Sequence, residues 1–228
     1  EDLKAHLERM GQKGTVTHTP DLGFFRVQYP VQGSPMVSII IPNKDHIEDL
    51  KICLDSLKKS DYKNYEVIIA ENNSEKPETF AGYHKFIEED YRIRVVVWED
   101  GFNYSAINNF AAKRAKGDLL LFLNNDTEFI DAGTLRELVI SALLPGSGAS
   151  GAMLYYDDDT IQHGGITIGL GGFAANALWS LTDRDEKYFP FSICEHEMSG
   201  VTAACLMVQK EVYEQVGGFD EAFVVALN

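Results

Sequence analysis

Positive charge is in short supply in this chain. Its 228 residues carry 20 Lys and Arg against 35 Asp and Glu, a formal net charge of −15. Nucleic acids and anionic membrane surfaces are held by clustered Lys and Arg, so neither is expected as a partner. A small phosphate-bearing ligand stays open, provided a metal ion carries the positive charge. Cysteine is scarcer still. Cys53, Cys194 and Cys205 have no metal-ligand spacing, and their odd number does not suggest a disulfide framework. They read as free thiols in a reducing compartment. No apolar run reaches the roughly 18 residues needed to span a bilayer, and no signal peptide is visible.

What is present points to a globular α/β chain. The hydrophobic fraction of 45% is enough for a sizeable core. Residues 1–35 read as a lead-in that packs on the main domain, or as a linker. A short helix over Asp2 to Met10 is followed by an extended stretch punctuated by Gly and Pro. Residues 36–228 form one domain. Strands are expected at Val37–Ile41 (stopped by Pro42), Tyr65–Ala70, Ile93–Trp98 and Leu119–Leu123. Helices are expected over Glu48–Lys58, Thr79–Asp90 and Ser105–Lys116. Strand–helix alternation at this spacing implies right-handed βαβ units and a parallel sheet. Later the alternation weakens: a helix at Leu135–Leu144, strands at Gly148–Tyr156, Thr160–Ile168 and Val201–Gln209, and a helix at Lys210–Val216.

Leu119-Leu120-Leu121-Phe122-Leu123-Asn124-Asn125-Asp126 is the most informative run. Five apolar residues in a row read as a fully buried central strand, and they end abruptly in polar ones. Ligand crevices of open α/β sheets lie outside the carboxyl ends of strands. A carboxylate there can hold a divalent cation, and the cation a diphosphate. The alternative is a loop Asp that caps the next helix. Pro42-Asn43-Lys44-Asp45 and Glu71-Asn72-Asn73-Ser74 are two more polar strand ends on the same edge, so all three can converge on one ligand.

These segments resemble family-2 glycosyltransferases of the GT-A fold. Val37 to Asn43 looks like that family's opening strand, and Ile68 to Ser74 like its second-strand motif. Phe102-Asn103-Tyr104-Ser105-Ala106-Ile107-Asn108-Asn109 resembles the segment after its third strand. Asn124-Asn125-Asp126 sits where the family has its DXD motif, and Gly217-Gly218-Phe219-Asp220-Glu221 resembles a late motif. Thr160 to Gly165 and Ser199 to Cys205 are similar to the branch that builds bacterial surface polysaccharides and rhamnose-rich O-antigens.

The resemblance implies a GT-A-like mixed sheet flanked by helices, parallel in its N-terminal half. It implies an inverting, metal-assisted transferase that moves a hexosyl or rhamnosyl group from a nucleoside-diphosphate sugar to a glycan or lipid-linked glycan acceptor. The implied donor-binding residues are Pro42, Asn43, Glu71, Asn72, Asn103, Asn108, Asn124 and Asn125, with Glu71 and Asn72 at the base or ribose and Asn103 and Asn108 near the ribose or diphosphate. Asp126 would hold Mg²⁺ or Mn²⁺. His163, Gly200 and Thr202 are acceptor-side candidates. The implied location is cytoplasmic, with a peripheral place at the inner membrane face open.

Two departures stand out. Asn124 replaces the first Asp of DXD, so metal affinity rests on Asp126 and the donor phosphates. The family's general base follows the GGFDE-like motif by a few positions, which puts it just beyond Asn228 and the domain's C-terminal end outside this chain. A catalytically silent nucleotide-sugar-binding domain is therefore the alternative function. A third reading, an NAD(P)-dependent oxidoreductase, would use Gly169-Leu170-Gly171-Gly172-Phe173-Ala174, but no Gly-rich turn follows the first strand. Asp157-Asp158-Asp159, also literally a DXD, reads as a hairpin turn. Trp179 and Phe173 read as core residues or as platforms for sugar faces.

Overall fold

The computed structural model describes residues 2–21, 23–181 and 194–224. The lead-in folds into helix α1 (Asp2–Arg9) and a hairpin of β1 (Thr15–His18) and β2 (Phe25–Gln28), in the register Val16 opposite Val27. The extended stretch of the sequence is thus a paired ribbon. It meets the main domain through the Arg26–Glu137 ion pair, and Val31 just after it packs against the core.

The main domain continues with β3 (Val37–Asn43), α2 (Ile47–Lys59), β4 (Tyr65–Asn72), α3 (Pro77–Glu89), β5 (Ile93–Trp98), α4 (Tyr104–Ala112), β6 (Leu119–Leu123) and α5 (Thr134–Ala142). Short strands follow: β7 (Ala149–Gly151), β8 (Leu154–Tyr155), β9 (Ile161–His163), β10 (Ile166–Ile168) and β11 (Ala174–Asn176). Then come β12 (Cys205–Gln209) and α6 (Lys210–Gln215). Six strands make the central sheet in the order β5-β4-β3-β6-β12-β7. The first four run parallel, and β12 runs antiparallel to both β6 and β7. This is the mixed sheet, parallel in its first half, that the sequence implies.

Period-two alternation divides the core between two faces. Val37, Ile39 and Ile41 face one way, with Leu50, Leu54 and Leu57 of α2, while Ile40 faces the other, with Ile107 and Ala111 of α4. Helices on both faces explain why β6 is a continuous apolar run, every residue of it buried. Each large apolar side chain so buried contributes about 1.5–3 kcal/mol relative to exposure.

Some boundaries differ from the sequence reading. Pro42 does not stop β3. Pairing with β6 ends at Ile40–Phe122, while pairing with β4 continues to Asn43–Glu71, so the missing Pro42 N–H falls where one side of the strand is open. The single strands expected at Gly148–Tyr156 and Thr160–Ile168 are each broken in two. β7 stays in the central sheet and β8 leaves it to pair with β9; Gly165, at φ +100°, turns the chain between β9 and β10. The strand expected from Val201 begins at Cys205, because Cys205 N–H and Ala204 N–H turn back onto Thr202.

At the N-terminal edge of the sheet, buried Glu66 accepts from Ser38 Oγ at 2.7 Å, Lys116 N at 2.8 Å and Arg94 Nε at 3.1 Å. Gly117 N donates to Ser38 Oγ at 2.8 Å. A Cβ on Gly117 would stand 2.5 Å from Met36 O and 2.7 Å from Ser38 N, both backbone atoms. Gly117→Ala is therefore expected to destabilise the domain by about 2–3 kcal/mol, read as a lowered midpoint in urea unfolding with an unchanged slope. An unchanged midpoint would show that the β3–β6 edge yields easily.

Candidate functional site

The chain steps outward from β3 to β4 to β5, then returns to β6 on the other side of β3. The loops after β3 and β6 diverge at this switch point and open a crevice at the carboxyl edge of the sheet. The crevice measures about 520 Å³ and is lined by Pro42, Asn43, Lys44, Asp45, His46, Asn72, Lys76, Phe102, Tyr104, Asn124 and Asn125. Five of the eight donor-side residues expected from the sequence line it: Pro42, Asn43, Asn72, Asn124 and Asn125. Lys44, Asp45, Phe102 and Tyr104 lie within the segments quoted above without being implied as donor ligands, whereas His46 and Lys76, just before α2 and α3, carry no local signal.

A directed file of hydrogen bonds forms the crevice floor. Asn125 Nδ2 donates to Asn43 Oδ1 at 2.7 Å, Asn43 Nδ2 to Tyr83 Oη at 2.7 Å, and Tyr83 Oη to Glu71 Oε2 at 2.5 Å. Ser74 Oγ also donates to Glu71 Oε2, at 2.7 Å. Burial, then the hydrogen bond to Glu71, raises the Tyr83 phenol well above its ordinary pKa, so it stays a donor. The expected contact of Glu71 with a nucleoside is not what its side chain is free to make. Glu71 is buried and is the terminal acceptor of this file. Asn43 is likewise buried and engaged at both ends of its amide. Asn72 is buried at the crevice wall.

Asp45 closes the rim. It adopts φ +60° and its Oδ1 accepts from Glu75 N and Lys76 N, both at 2.9 Å, tying the loop after β3 to the start of α3. The Lys76 backbone N–H, ahead of opposing desolvation, holds the Asp45 carboxyl below the usual range. Asp126 is different. It is exposed, just past the end of β6, and no hydrogen bond or ion pair among the described residues engages it. Nearby, Asn124 Oδ1 accepts from Tyr104 Oη at 3.4 Å. The Asn125 NH₂ is spent on Asn43, which leaves its carbonyl oxygen as an acceptor. One carboxylate and two neutral oxygens suit a hard cation that completes its shell with phosphate oxygens and water. They do not suit a preformed protein cage, and no three His, Cys, Asp or Glu gather for one among the described residues.

Asn103 and Asn108 are placed differently from the sequence expectation. Asn103 is the N-cap of α4: its Oδ1 accepts from Ala106 N at 3.0 Å and its Nδ2 donates to Glu221 O at 2.8 Å. Asn108 is fully buried and donates to Tyr104 O at 2.8 Å, with Oδ1 unpaired. Neighbouring Asn109 holds the glycine motif. It donates to Phe219 O and Glu221 Oε1, each at 2.9 Å, and accepts from Phe219 N. The asparagines of α4 and its N-cap therefore face the late motif and the interior, while Tyr104 faces the crevice. Asn228 lies outside the described residues.

The acceptor-side candidates are joined. His163 is buried; its Nδ1 donates to Asn176 Oδ1 at 2.7 Å and its Nε2 accepts from Thr202 N at 3.2 Å. Both ring nitrogens are used, so His163 is a structural bridge between β9 and the loop before β12. Gly200 O accepts from Ile166 N at 2.8 Å. The same loop reaches the crevice, since Ala204 O accepts from Asn124 N at 3.0 Å and Ala203 O from Tyr104 Oη at 3.1 Å. Asp157-Asp158-Asp159 forms the β8–β9 turn, with Asp159 at φ +66°. Gly169 to Ala174 closes the β10–β11 hairpin, so no helix follows it as a dinucleotide site requires.

The family model for glycosyl transferase family 2 matches residues 38–217. The chain belongs to glycosyl transferase family 2. It is 43% identical over 226 residues to the O-antigen biosynthesis protein RfbC of Myxococcus xanthus, covering 98% of this chain and 17% of that protein. It is 22% identical over 215 residues to the N-acetylglucosaminyl-diphospho-decaprenol L-rhamnosyltransferase of Mycobacterium tuberculosis, covering 85% of this chain and 67% of that one. Among solved structures it is similar to the mannosyltransferase PcManGT from Pyrobaculum calidifontis in complex with GDP-Man and Mn²⁺. There the TM-score is 0.59 at 15% identity, over 96% of this chain and 54% of that one. The fold is thus GT-A-like, and this family-2 chain spans a small part of RfbC's length.

Burial lowers the His163 pKa, against the smaller opposing effect of Asn176. A depressed folded-state pKa means stability is full above the unfolded value of about 6.5 and is lost as pH falls through the folded value. Wild type is expected to lose more melting temperature than His163→Gln between about pH 7.5 and 5.5. Parallel pH curves would show that His163 does not control this lobe.

Proposed function

We propose that this chain is the donor-binding and transfer domain of a glycosyltransferase that builds a bacterial surface polysaccharide. The observation that carries it is the crevice at the β3–β6 switch point, with Asn72, Asn124 and Asn125 on its wall and the exposed, unengaged Asp126 next in the chain after Asn125. The likeness to RfbC and to a rhamnosyltransferase supports the polysaccharide context, and the Mn²⁺ complex of PcManGT supports divalent-cation use.

On this reading a nucleoside-diphosphate sugar lies along the strand ends. Asn72 and the Pro42–Asn43 backbone face its nucleoside. Asp126, with the side-chain oxygens of Asn124 and Asn125, would hold Mg²⁺ or Mn²⁺, which would offset the charge that develops on the leaving diphosphate. Lys44 and Lys76 add positive charge at the rim of a chain that has little. The acceptor hydroxyl oxygen bonds to the anomeric carbon as the bond to the diphosphate oxygen breaks, in line and with inversion. The hydroxyl proton passes to a carboxylate base. The acceptor is a glycan or lipid-linked glycan.

The test is thermal stability with UDP, GDP, dTDP and NAD⁺, each with and without Mn²⁺. One nucleoside diphosphate is expected to stabilise the chain only with metal, by about 2.7 kcal/mol at a hundredfold excess over Kd. Asp126→Ala is expected to remove that metal-dependent shift and leave the ligand-free melting temperature unchanged. Stabilisation by NAD⁺ without metal, or an undiminished shift in Asp126→Ala, would overturn the assignment.

A further inference from the structure

Trp179 is 61% exposed, and the chain holds it there on a fixed support. The residues on either side, Leu178 and Ser180, both adopt φ +62°, a left-handed conformation that side chains other than glycine disfavour. Backbone hydrogen bonds secure this turn from both directions. Ala177 N donates to Gly165 O and Ser180 N to Ile161 O, both at 2.8 Å, and Ile161 N donates to Leu181 O at 2.7 Å. Leu178 packs inward against Gly164 while Trp179 points out. Its Nε1 donates to Tyr156 Oη at 3.3 Å, and Tyr156 is itself 42% exposed. Strained backbone maintained by its surroundings is a reason to ask what the displayed group does.

From Thr160 to Leu181 the sequence holds no Asp, Glu, Lys or Arg, although the chain as a whole carries −15. Beside this neutral surface stands the β8–β9 turn, where Asp157 is exposed. A flat indole in contact with a phenol hydroxyl, with an exposed carboxylate on the next residue of the turn, makes a definite combination. The C–H face of a pyranose is apolar and packs on an aromatic ring, while its equatorial hydroxyls donate to carboxylate and phenol oxygens. The carboxylates of this turn repel an anionic ligand, which sets a neutral sugar apart from a phosphorylated or acidic one.

We propose that Trp179, Tyr156 and Asp157 form a subsite for one neutral pyranose unit of a glycan, separate from the nucleotide crevice. The lobe that carries it is tied to that crevice by the His163–Thr202 hydrogen bond and the Ala204–Asn124 hydrogen bond. The subsite rests on the reading that the acceptor is a glycan, and it would hold a sugar of that acceptor while another unit reacts. Such a site favours longer acceptors over single sugars.

The chain has two tryptophans, so Trp98→Phe leaves Trp179 as its sole indole fluorophore. Titrating that variant with neutral oligosaccharides built from rhamnose, glucose, galactose or N-acetylglucosamine should give a saturable change in Trp179 emission for at least one of them. Calorimetry on the otherwise unaltered chain should show Trp179→Ala weakening that oligosaccharide by about tenfold or more. Trp179→Phe, which keeps an aromatic face, should retain most of the affinity. Asp157→Asn should weaken it less than Trp179→Ala, and nucleotide binding with Mn²⁺ should not change in any of the three. No emission change with any oligosaccharide would overturn the proposal. So would undiminished binding in Trp179→Ala, or a Trp179 response to phosphatidylcholine vesicles and not to sugars. Sugar binding without any nucleotide binding would instead count against the donor site and leave the subsite standing.

Discussion

The hydrogen-bond file from Asn125 through Asn43 and Tyr83 to Glu71 is the constraint on which the crevice depends. It crosses the ends of β6, β3 and β4 and reaches α3, and each donor has one acceptor ahead of it. Polar groups buried at a strand end are costly unless paired, and here they are paired with one another. The file therefore fixes how far apart the loops stand and which atoms remain for a ligand. It consumes Glu71 and Asn43, and it turns the Asn125 carbonyl into a spare acceptor beside Asp126.

The rest of the molecule supports this edge. Apolar strands covered by helices on both faces bring three polar strand ends to one side. The Glu66 cluster at the other edge locks β3 and β4 to the residues that lead into β6. β12 runs antiparallel beside β6, so the loop before β12 arrives at the carboxyl edge, where Ala203 and Ala204 accept from Tyr104 and Asn124. That arrival links the nucleotide side to the small lobe that carries His163 and Trp179. Tyr104 stands where the crevice, this loop and the late glycine motif meet, since its backbone N–H also donates to Val224 O. Burial pushes its phenol up to about 12, and the hydroxyl stays protonated in these contacts.

Family membership frames what such an edge can do, and the residues decide how. On the proposed reading Asn124-Asn125-Asp126 offers a cation a single carboxylate, so the cation would depend on the phosphates it binds. The lysines at the rim compensate in part for a chain rich in acid. Asn103, which the resemblance implies as a donor ligand, and Asn109 secure the segment from Phe219 to Glu221 against α4.

The sequence by itself determined the element order of the first half, the parallel sheet and the polar edge. Those follow from local facts: β-branched and leucine runs of strand length, helical periodicity between them, and Asn or Asp where each run stops. It also determined that Asp157 to Asp159 turn and that Gly169 to Ala174 is no dinucleotide loop. Only the tertiary structure decided which polar side chains face the crevice and which face each other. Glu71, Asn43, Asn103 and His163 all carry the chemistry of ligands, yet other residues of the fold already engage them, and Asn108 is buried with its amide N–H on Tyr104 O. A sequence shows which groups can form hydrogen bonds; burial and distance, which exist only after folding, decide with whom.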